Sequence, residues 1–266
     1  MLKNNPFVSI IVPLYNYRKF IKDCIISILN QTYYNFELIV VDDNSTDNSY
    51  KTAKKFEIKD KRVKVIKLNK NYGYSKAKNE GILISKGQYI VTLDADDMMT
   101  TNSIKIRLKA ILKHNVSFVY ADAITVNGYT GLKSCYQLNI EQIKKQRQKK
   151  VVYSPSINIY NIHAQTAMIH RDIYKKYGLY DESLRSKSDR EMWWRLFGKD
   201  KSERPKISFY YIHKAVAYYR YHRNSMWRKR KRNKKYDDII AKKAKQAYEI
   251  RKRQGITIKN TRFLMK

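Results

Sequence analysis

The sequence predicts an α/β fold: a mostly parallel sheet flanked by helices, followed by a basic helical tail. Three observations carry this. Short apolar runs that suit strands buried on both faces alternate with segments of helical period through the first half. Two acidic clusters fall where such runs end. From Trp227 onward the alternation gives way to a Lys/Arg run and a basic amphipathic segment. A β-α-β order needs crossover connections, and these put helices on the faces of a parallel sheet.

The elements follow in order. "FVSIIVPLY" (7–15) is a continuous apolar run and reads as a strand buried on both faces. "FIKDCIISILNQ" (20–31) carries Phe20, Cys24, Ile25, Ile28 and Leu29 at helical spacing. "FELIVVDD" (36–43) is a second strand, and Ser45 or Thr46 is placed to cap the helix after it. "RVKVIKL" (62–68) alternates as a strand does, "SKAKNEGILIS" (75–85) is a helix, and "QYIVTLD" (88–94) is another buried strand. "NSIKIRLKAILKH" (102–114) is amphipathic and "VSFVYAD" (116–122) returns to a strand. Beyond it, 164–172 and 214–222 read as strands and 189–199 as a helix. The simplest organisation is a domain over 1–226 with halves 1–122 and 123–226, and a tail over 227–266 whose helix spans 236–253.

The chain has 266 residues, enough to bury a sizeable core, and its 43% hydrophobic content argues against disorder. Lys+Arg number 56 against 23 Asp+Glu, a formal +33. The last 40 residues hold 16 Lys/Arg and 3 Asp/Glu. Such a field attracts nucleic acid, anionic lipid or phosphorylated substrates without choosing among them. The 23 tyrosines, with few Gly and Pro, also fit compositional drift in an AT-rich genome. Cys24 and Cys135 lie far apart without metal-ligand spacing, so a reduced, intracellular setting is expected. The N-terminal apolar run is short and broken by Pro13, unlike a signal peptide, and no stretch approaches the roughly 18 apolar residues of a membrane span. The expected location is cytoplasmic, either free or peripheral on the inner face of a membrane.

Ligands of open α/β sheets bind beyond the carboxyl ends of the strands. That makes "VTLDADDMMT" (91–100) the segment of interest. Carboxylates two apart in a tight turn can hold a hard cation through one or two oxygens, leaving its other positions to water and phosphate, as Mg²⁺ prefers. A solvated turn-forming cluster is the competing reading, since Asp favours turns. An EF-hand is excluded, because no Gly and closing Glu follow at the required spacing.

"SIIVPLYN" (9–16), "VVDDNSTDNS" (40–49), "NYGYSKAKNEGI" (71–82) and "LDADD" (93–97) come in one order, each at a strand end or helix start. "YGLYDESL" (177–184), "SDREMWWRL" (188–196) and "YYRYHRNS" (218–225) follow. Together they resemble glycosyltransferase family 2, inverting hexosyltransferase-type enzymes (EC 2.4) with the GT-A fold that use nucleotide-sugar donors. The resemblance spans roughly residues 7–225. It implies that Pro13, Tyr15 and Asn16 lie beside the nucleotide base and that Asp43 recognises it, uracil being the base such a carboxylate suits. Tyr15 could equally pack in the core, and Asp43 could cap the following helix. Lys78 stands where relatives have Arg or Lys reaching toward the nucleotide. A lysine on this lysine-rich helix otherwise reads as solvated surface.

The resemblance further implies that Asp94 and Asp96 form the "DxD" pair, that Asp97 shares the Mn²⁺ or Mg²⁺, and that His222 closes the metal or phosphate site. It makes Asp189 the general base. The chain departs from the family pattern in having Ser188 where a Glu precedes that Asp. Asp189 could also serve as a helix N-cap, and Glu191 is the weaker candidate. Of the adjacent Trp193 and Trp194, one is expected in the core and the other at the acceptor cleft. The implied partners are a nucleotide-sugar donor, UDP-sugar first, and a glycan or lipid-linked acceptor. An anionic membrane surface, met through 227–266, is the other. The rival from another class is a nucleic-acid-binding protein without transferase activity, drawn from the charge and the run at 228–235. A nucleotidyltransferase fits poorly, because no Gly-rich loop follows the first strand.

Overall fold

The computed structural model describes residues 5–128, 151–154, 162–184, 187–197 and 207–223. Strands β1 (Val8–Leu14), β2 (Phe36–Asp42), β3 (Val63–Lys67) and β4 (Tyr89–Thr92) pair in parallel in the order β3-β2-β1-β4. Between them run α1 (Ile21–Leu29), α2 (Ser49–Lys59) and α3 (Tyr74–Ile84). The continuous apolar run of β1 is explained by its place. Val8, Ile10, Val12 and Leu14 enter a core shared with α1, while Ile11 enters the core shared with α3. A strand buried on both faces reads as a near-continuous apolar run, and the one polar residue of β1, the buried Ser9, donates to Glu37 at 2.6 Å.

Pro13 sits inside this central strand, a position normally closed to proline. The Leu93 N–H donates to the Ile11 carbonyl, so the odd residues of β1 turn their backbone groups toward β4. Pairing with β4 ends at Ile11 and Thr92. Pro13 therefore lacks an N–H only where there is no strand left to receive it.

The second half makes the sheet mixed. Here lie β5 (Met98–Met99), α4 (Ser103–His114), β6 (Phe118–Asn127), β7 (Val151–Ser154), β8 (Met168–His170), α5 (Arg171–Tyr177), α6 (Ser188–Phe197) and β9 (Phe209–Tyr221). β8 lies antiparallel between β4 and β6, β9 runs parallel to β6, and β5 closes antiparallel on β9. The expected strand over 164–172 resolves into a 3₁₀ turn at Ala164–Thr166, the short β8, and the start of α5. The strand expected at 116–122 reaches Asn127, so the 122/123 divide falls within β6. Two cores flank the sheet, one holding α1, α2 and α4, the other α3, α5 and α6.

The α2 start also differs from expectation. Ser45 and Thr46 do not cap it: the Asn16 N–H donates to Ser45 Oγ (3.0 Å) and the Thr46 N–H to Asn16 Oδ1 (2.8 Å). Asp47 instead accepts from the Ser49 N–H at 3.1 Å. Among the described residues no helix is long and apolar enough to cross a membrane. The expected helix at 236–253, and the whole tail from Trp227, lie outside the described residues.

Candidate active site

The carboxyl ends of β1, β2 and β4 open on one edge of the sheet, and most of the residues singled out from the sequence gather there. After β4 the chain makes a β-turn over 94–97, closed by the Asp97 N–H on the Asp94 carbonyl at 2.9 Å. Folded this way, Asp94, Asp96 and Asp97 each offer an oxygen, and the three oxygens lie within 4.8 Å of one another. Asp96 and Asp97 are buried, Asp94 partly exposed. Burial and the neighbouring Asp96 push the Asp94 carboxyl up to about 6, against the Tyr74 hydroxyl that donates to it. Burial, then Asp96 and Asp94, hold Asp97 well above the usual carboxylate range.

The cluster fits a divalent cation on one further observation. Asp97 Oδ1 accepts the Arg220 N–H at 2.8 Å, but its buried Oδ2 has no hydrogen-bond partner among the described residues. A crowded set of hard oxygens, one of them unsatisfied, is the donor set that Mg²⁺ or Mn²⁺ takes.

His222, at the end of β9, joins the cluster from 126 residues away: its Nε2 lies 2.9 Å from Asp96 Oδ2. Its ring packs on Phe20 (centroids 4.6 Å) and stands edge-on to Tyr17 (6.1 Å). Gly128 makes room for it, since a Cβ there would come 2.4 Å from His222 Cβ. Arg220, on the same strand face two residues earlier, reaches Asp23 (2.7 Å) and Met98 Sδ (2.9 Å). Sequence reasoning missed Arg220, although a strand's period of two pairs it with His222. It also missed Tyr17 and Tyr219, whose hydroxyls are pushed up by burial first and then by the three aspartates.

On the β1 and β2 side, Pro13 is buried, while Tyr15 (42% exposed) and Asn16 stand at the surface. Asn16 takes a positive φ of 58° and knits the β1 loop to the loop after β2. Asp43 is buried and does not cap α2. Its two oxygens accept the Tyr72 and Gly73 N–H groups, each at 2.8 Å, and so fix the loop entering α3. Gly73 has φ +100°, a conformation that favours glycine. Burial pushes the Asp43 carboxyl up, and those two N–H groups pull it back.

Lys78 is not on the solvated face of α3. It is fully buried, and its Nζ sits 4.3 Å from the Tyr74 ring centroid and 3.5 Å from that of Tyr180. Burial pushes its ammonium down to about 8, while Asp189 and Asp94 act in the opposite sense. Asp189 opens α6, and its charge acts on Tyr74, Lys78, Asp94, His163 and Tyr180. The fold thus brings it within electrostatic range of Asp94 and Lys78. The Glu191 carboxylate grips Arg195 at 3.0 and 2.9 Å, and Arg195 donates to the Tyr177 and Leu179 carbonyls. Trp193 is in the core, its indole N–H on the Ile162 carbonyl at 3.2 Å, and Trp194 is half-buried.

The model of the family described as Glycosyl transferase family 2 matches residues 9–178, well over half of the chain. The chain belongs to glycosyltransferase family 2. Among family relatives, an uncharacterized glycosyltransferase of Rickettsia prowazekii is 31% identical over 222 residues, covering 82% of this chain and 65% of that protein. Glycosyltransferase GlyG of Streptococcus pneumoniae is 39% identical over 112 residues, 42% of this chain and 37% of its own. WfgD of Escherichia coli, a UDP-Glc:alpha-D-GlcNAc-diphosphoundecaprenol beta-1,3-glucosyltransferase, is 38% identical over 120 residues, 45% and 47% of the two chains. The matches thus span less than half of GlyG and of WfgD. In structure, S. aureus TarS 1-349 in complex with UDP-GlcNAc aligns with a TM-score of 0.63 at 22% identity, over 82% of this chain and 59% of that one. This likeness shows the fold, the GT-A arrangement of a Rossmann-like sheet with flanking helices.

Proposed function

We propose that this family 2 member transfers a sugar from a nucleotide diphosphate sugar, a UDP-sugar, to an acceptor hydroxyl with inversion, in polysaccharide or glycoconjugate synthesis. One observation carries the reading: Asp94, Asp96 and Asp97 offer three oxygens within 4.8 Å of one another, and the charge of Asp189, distant in sequence, acts on Asp94. A displacement at an anomeric carbon needs charge neutralised on one side and a proton accepted on the other. The names of the relatives support the donor class, since WfgD is named for UDP-Glc and TarS was solved with UDP-GlcNAc.

In this reading Tyr15 lends a ring face to the base, Pro13 and Asn16 shape the loop beneath it, and Asp43 recognises the uracil. Asp96, with Asp94, Asp97 and His222, would hold Mn²⁺ or Mg²⁺, which when bound supplies Lewis-acid stabilisation of the departing diphosphate. Lys78 stays with the donor side as a charge beneath the site, because its ammonium is sealed. Asp189 takes the acceptor proton as the acceptor oxygen bonds to the anomeric carbon and the bond to the diphosphate breaks, its electron pair leaving on the diphosphate. A carboxylate suffices when the proton leaves late, and such base catalysis contributes ~10²–10⁴-fold.

The test is a hydrolysis and transfer screen of UDP-, GDP- and dTDP-sugars with Mn²⁺ or Mg²⁺. Turnover of a UDP-sugar is expected, lowered ~10²-fold or more in Asp189→Asn with an unchanged circular dichroism spectrum. Near-normal turnover in Asp189→Asn removes the base assignment. Metal-dependent turnover persisting in the Asp94→Ala/Asp96→Ala double variant removes the metal turn.

A further inference from the structure

Lys78 presents a problem that donor binding does not solve. Its ammonium is out of solvent, has no hydrogen-bond partner among the described residues, and is enclosed by the rings of Tyr74 and Tyr180. Ring faces attract a cation, but they return less than the water it gave up. The charges that favour it are Asp189 and Asp94, one from each half of the site. The same two carboxylates disfavour each other, Asp189 raising the Asp94 carboxyl. A buried cation acting on both offsets that repulsion.

The surroundings tie the same elements together mechanically. The Tyr74 ring covers Lys78 while its hydroxyl donates to Asp94. Tyr180 covers the other side, and its backbone is clamped to α3 by Asn79, which donates to the Tyr180 carbonyl (2.8 Å) and accepts its N–H (3.0 Å). Ser75 adds a bond to the Leu184 carbonyl at 2.9 Å. The segment 180–184, which leads toward α6 and Asp189, is thus fastened to the helix that carries Lys78.

We propose that Lys78 is a positioning residue: with Tyr74 and Tyr180 it forms a sealed counter-charge, shared by Asp94 and Asp189, that holds the metal turn and the candidate base to one site. The roles of those two aspartates rest on the transferase reading; the metal-binding test below does not need it.

Lys78→Met keeps the length of the side chain and removes its charge, and Lys78→Gln serves if the Met variant does not fold. Mn²⁺ binding to the full chain, followed by electron paramagnetic resonance without any nucleotide, is the first readout. Loss of a nearby positive charge tightens a cation site, here by roughly three- to tenfold. A merely structural lysine predicts unchanged or weaker binding, and either result overturns the proposal, as does absence of Mn²⁺ binding in the unaltered protein. The second readout is steady-state hydrolysis of UDP-glucose and UDP-N-acetylglucosamine with Mn²⁺. The expected result is kcat down about tenfold or more with KM within about threefold, no loss of thermal midpoint, and partial recovery in Lys78→Arg. Unchanged kcat overturns the positioning role. Unaltered protein that binds Mn²⁺ but turns over no nucleotide sugar fails the transferase reading alone and leaves the Mn²⁺ comparison to decide this one.

Discussion

Between pH 8 and 10.5 the Lys78 amine of the folded chain sheds a proton that the unfolded chain still holds, because burial lowers the folded value from 10.5 to about 8. The unfolded state binds more protons in that window, so the Lys78 contribution to stability rises with pH there and is lost as pH falls through about 8. Urea denaturation should therefore show Lys78→Met more stable than the unaltered chain near pH 7. The gap should close toward pH 10.5 by on the order of 3 kcal/mol. A gap that stays constant with pH would mean the ammonium is solvated when folded. At this scale the sequence was partly readable. The acidic residues of the turn declared themselves by position, but Lys78 did not, since composition made it one lysine among many. Its burial had a signal all the same: counted from Tyr74, the helical period puts Ala77, Lys78, Gly81 and Ile82 on one face, and the last four are buried. Lys76, off that face, pairs with Glu80 at 2.7 Å instead.

Strand ends do the assembling at the scale of elements. β6 ends just before Gly128, whose N–H donates to the Tyr221 carbonyl at 3.1 Å, and β9 ends beside it at Tyr221, just before His222. A methyl at 128 would overlap His222 Cβ and approach its Cα to 3.4 Å, so the backbone of His222 cannot simply step aside. Gly128→Ala should weaken Mn²⁺ binding about tenfold by moving the imidazole off Asp96, with thermal stability down by about 1–3 kcal/mol. Calorimetric titration together with a melting curve checks both, and unaltered Mn²⁺ affinity would separate His222 from the metal site. β1 to β4 and their helices were legible because each reports its own burial in a local pattern. β5 and β7 were not, and of the strand expected over 164–172 only the short β8 forms. These three are two to four residues long and owe their existence to partners far along the chain, so no window of sequence contains the information.

The whole molecule carries +33, with 16 of its 56 Lys/Arg in residues 227–266. The nucleotide-sugar donor proposed above and a lipid-linked acceptor would both be anionic, so such a field favours encounter with both. The 266-residue chain should float with vesicles containing about 30% anionic lipid and stay behind with zwitterionic ones. A chain ending at 226 should lose most of that binding, and about 1 M salt should release the rest. Equal partitioning of the two chains would exclude the tail as a membrane contact.

The sequence by itself determined that the first half is a parallel α/β sheet with acidic turns at its carboxyl edge. Hydrophobic periodicity and turn chemistry are local, and burial on two faces is written into consecutive residues. Only the tertiary structure decided which distant groups share the site. His222 reaches Asp96 across 126 residues, Asp189 acts on Asp94, Glu191 is committed to Arg195, and Lys78 is sealed between two tyrosines. Each of these depends on pairings in the mixed part of the sheet and on one core closing over another, and burial there changes what an ionisable side chain can do.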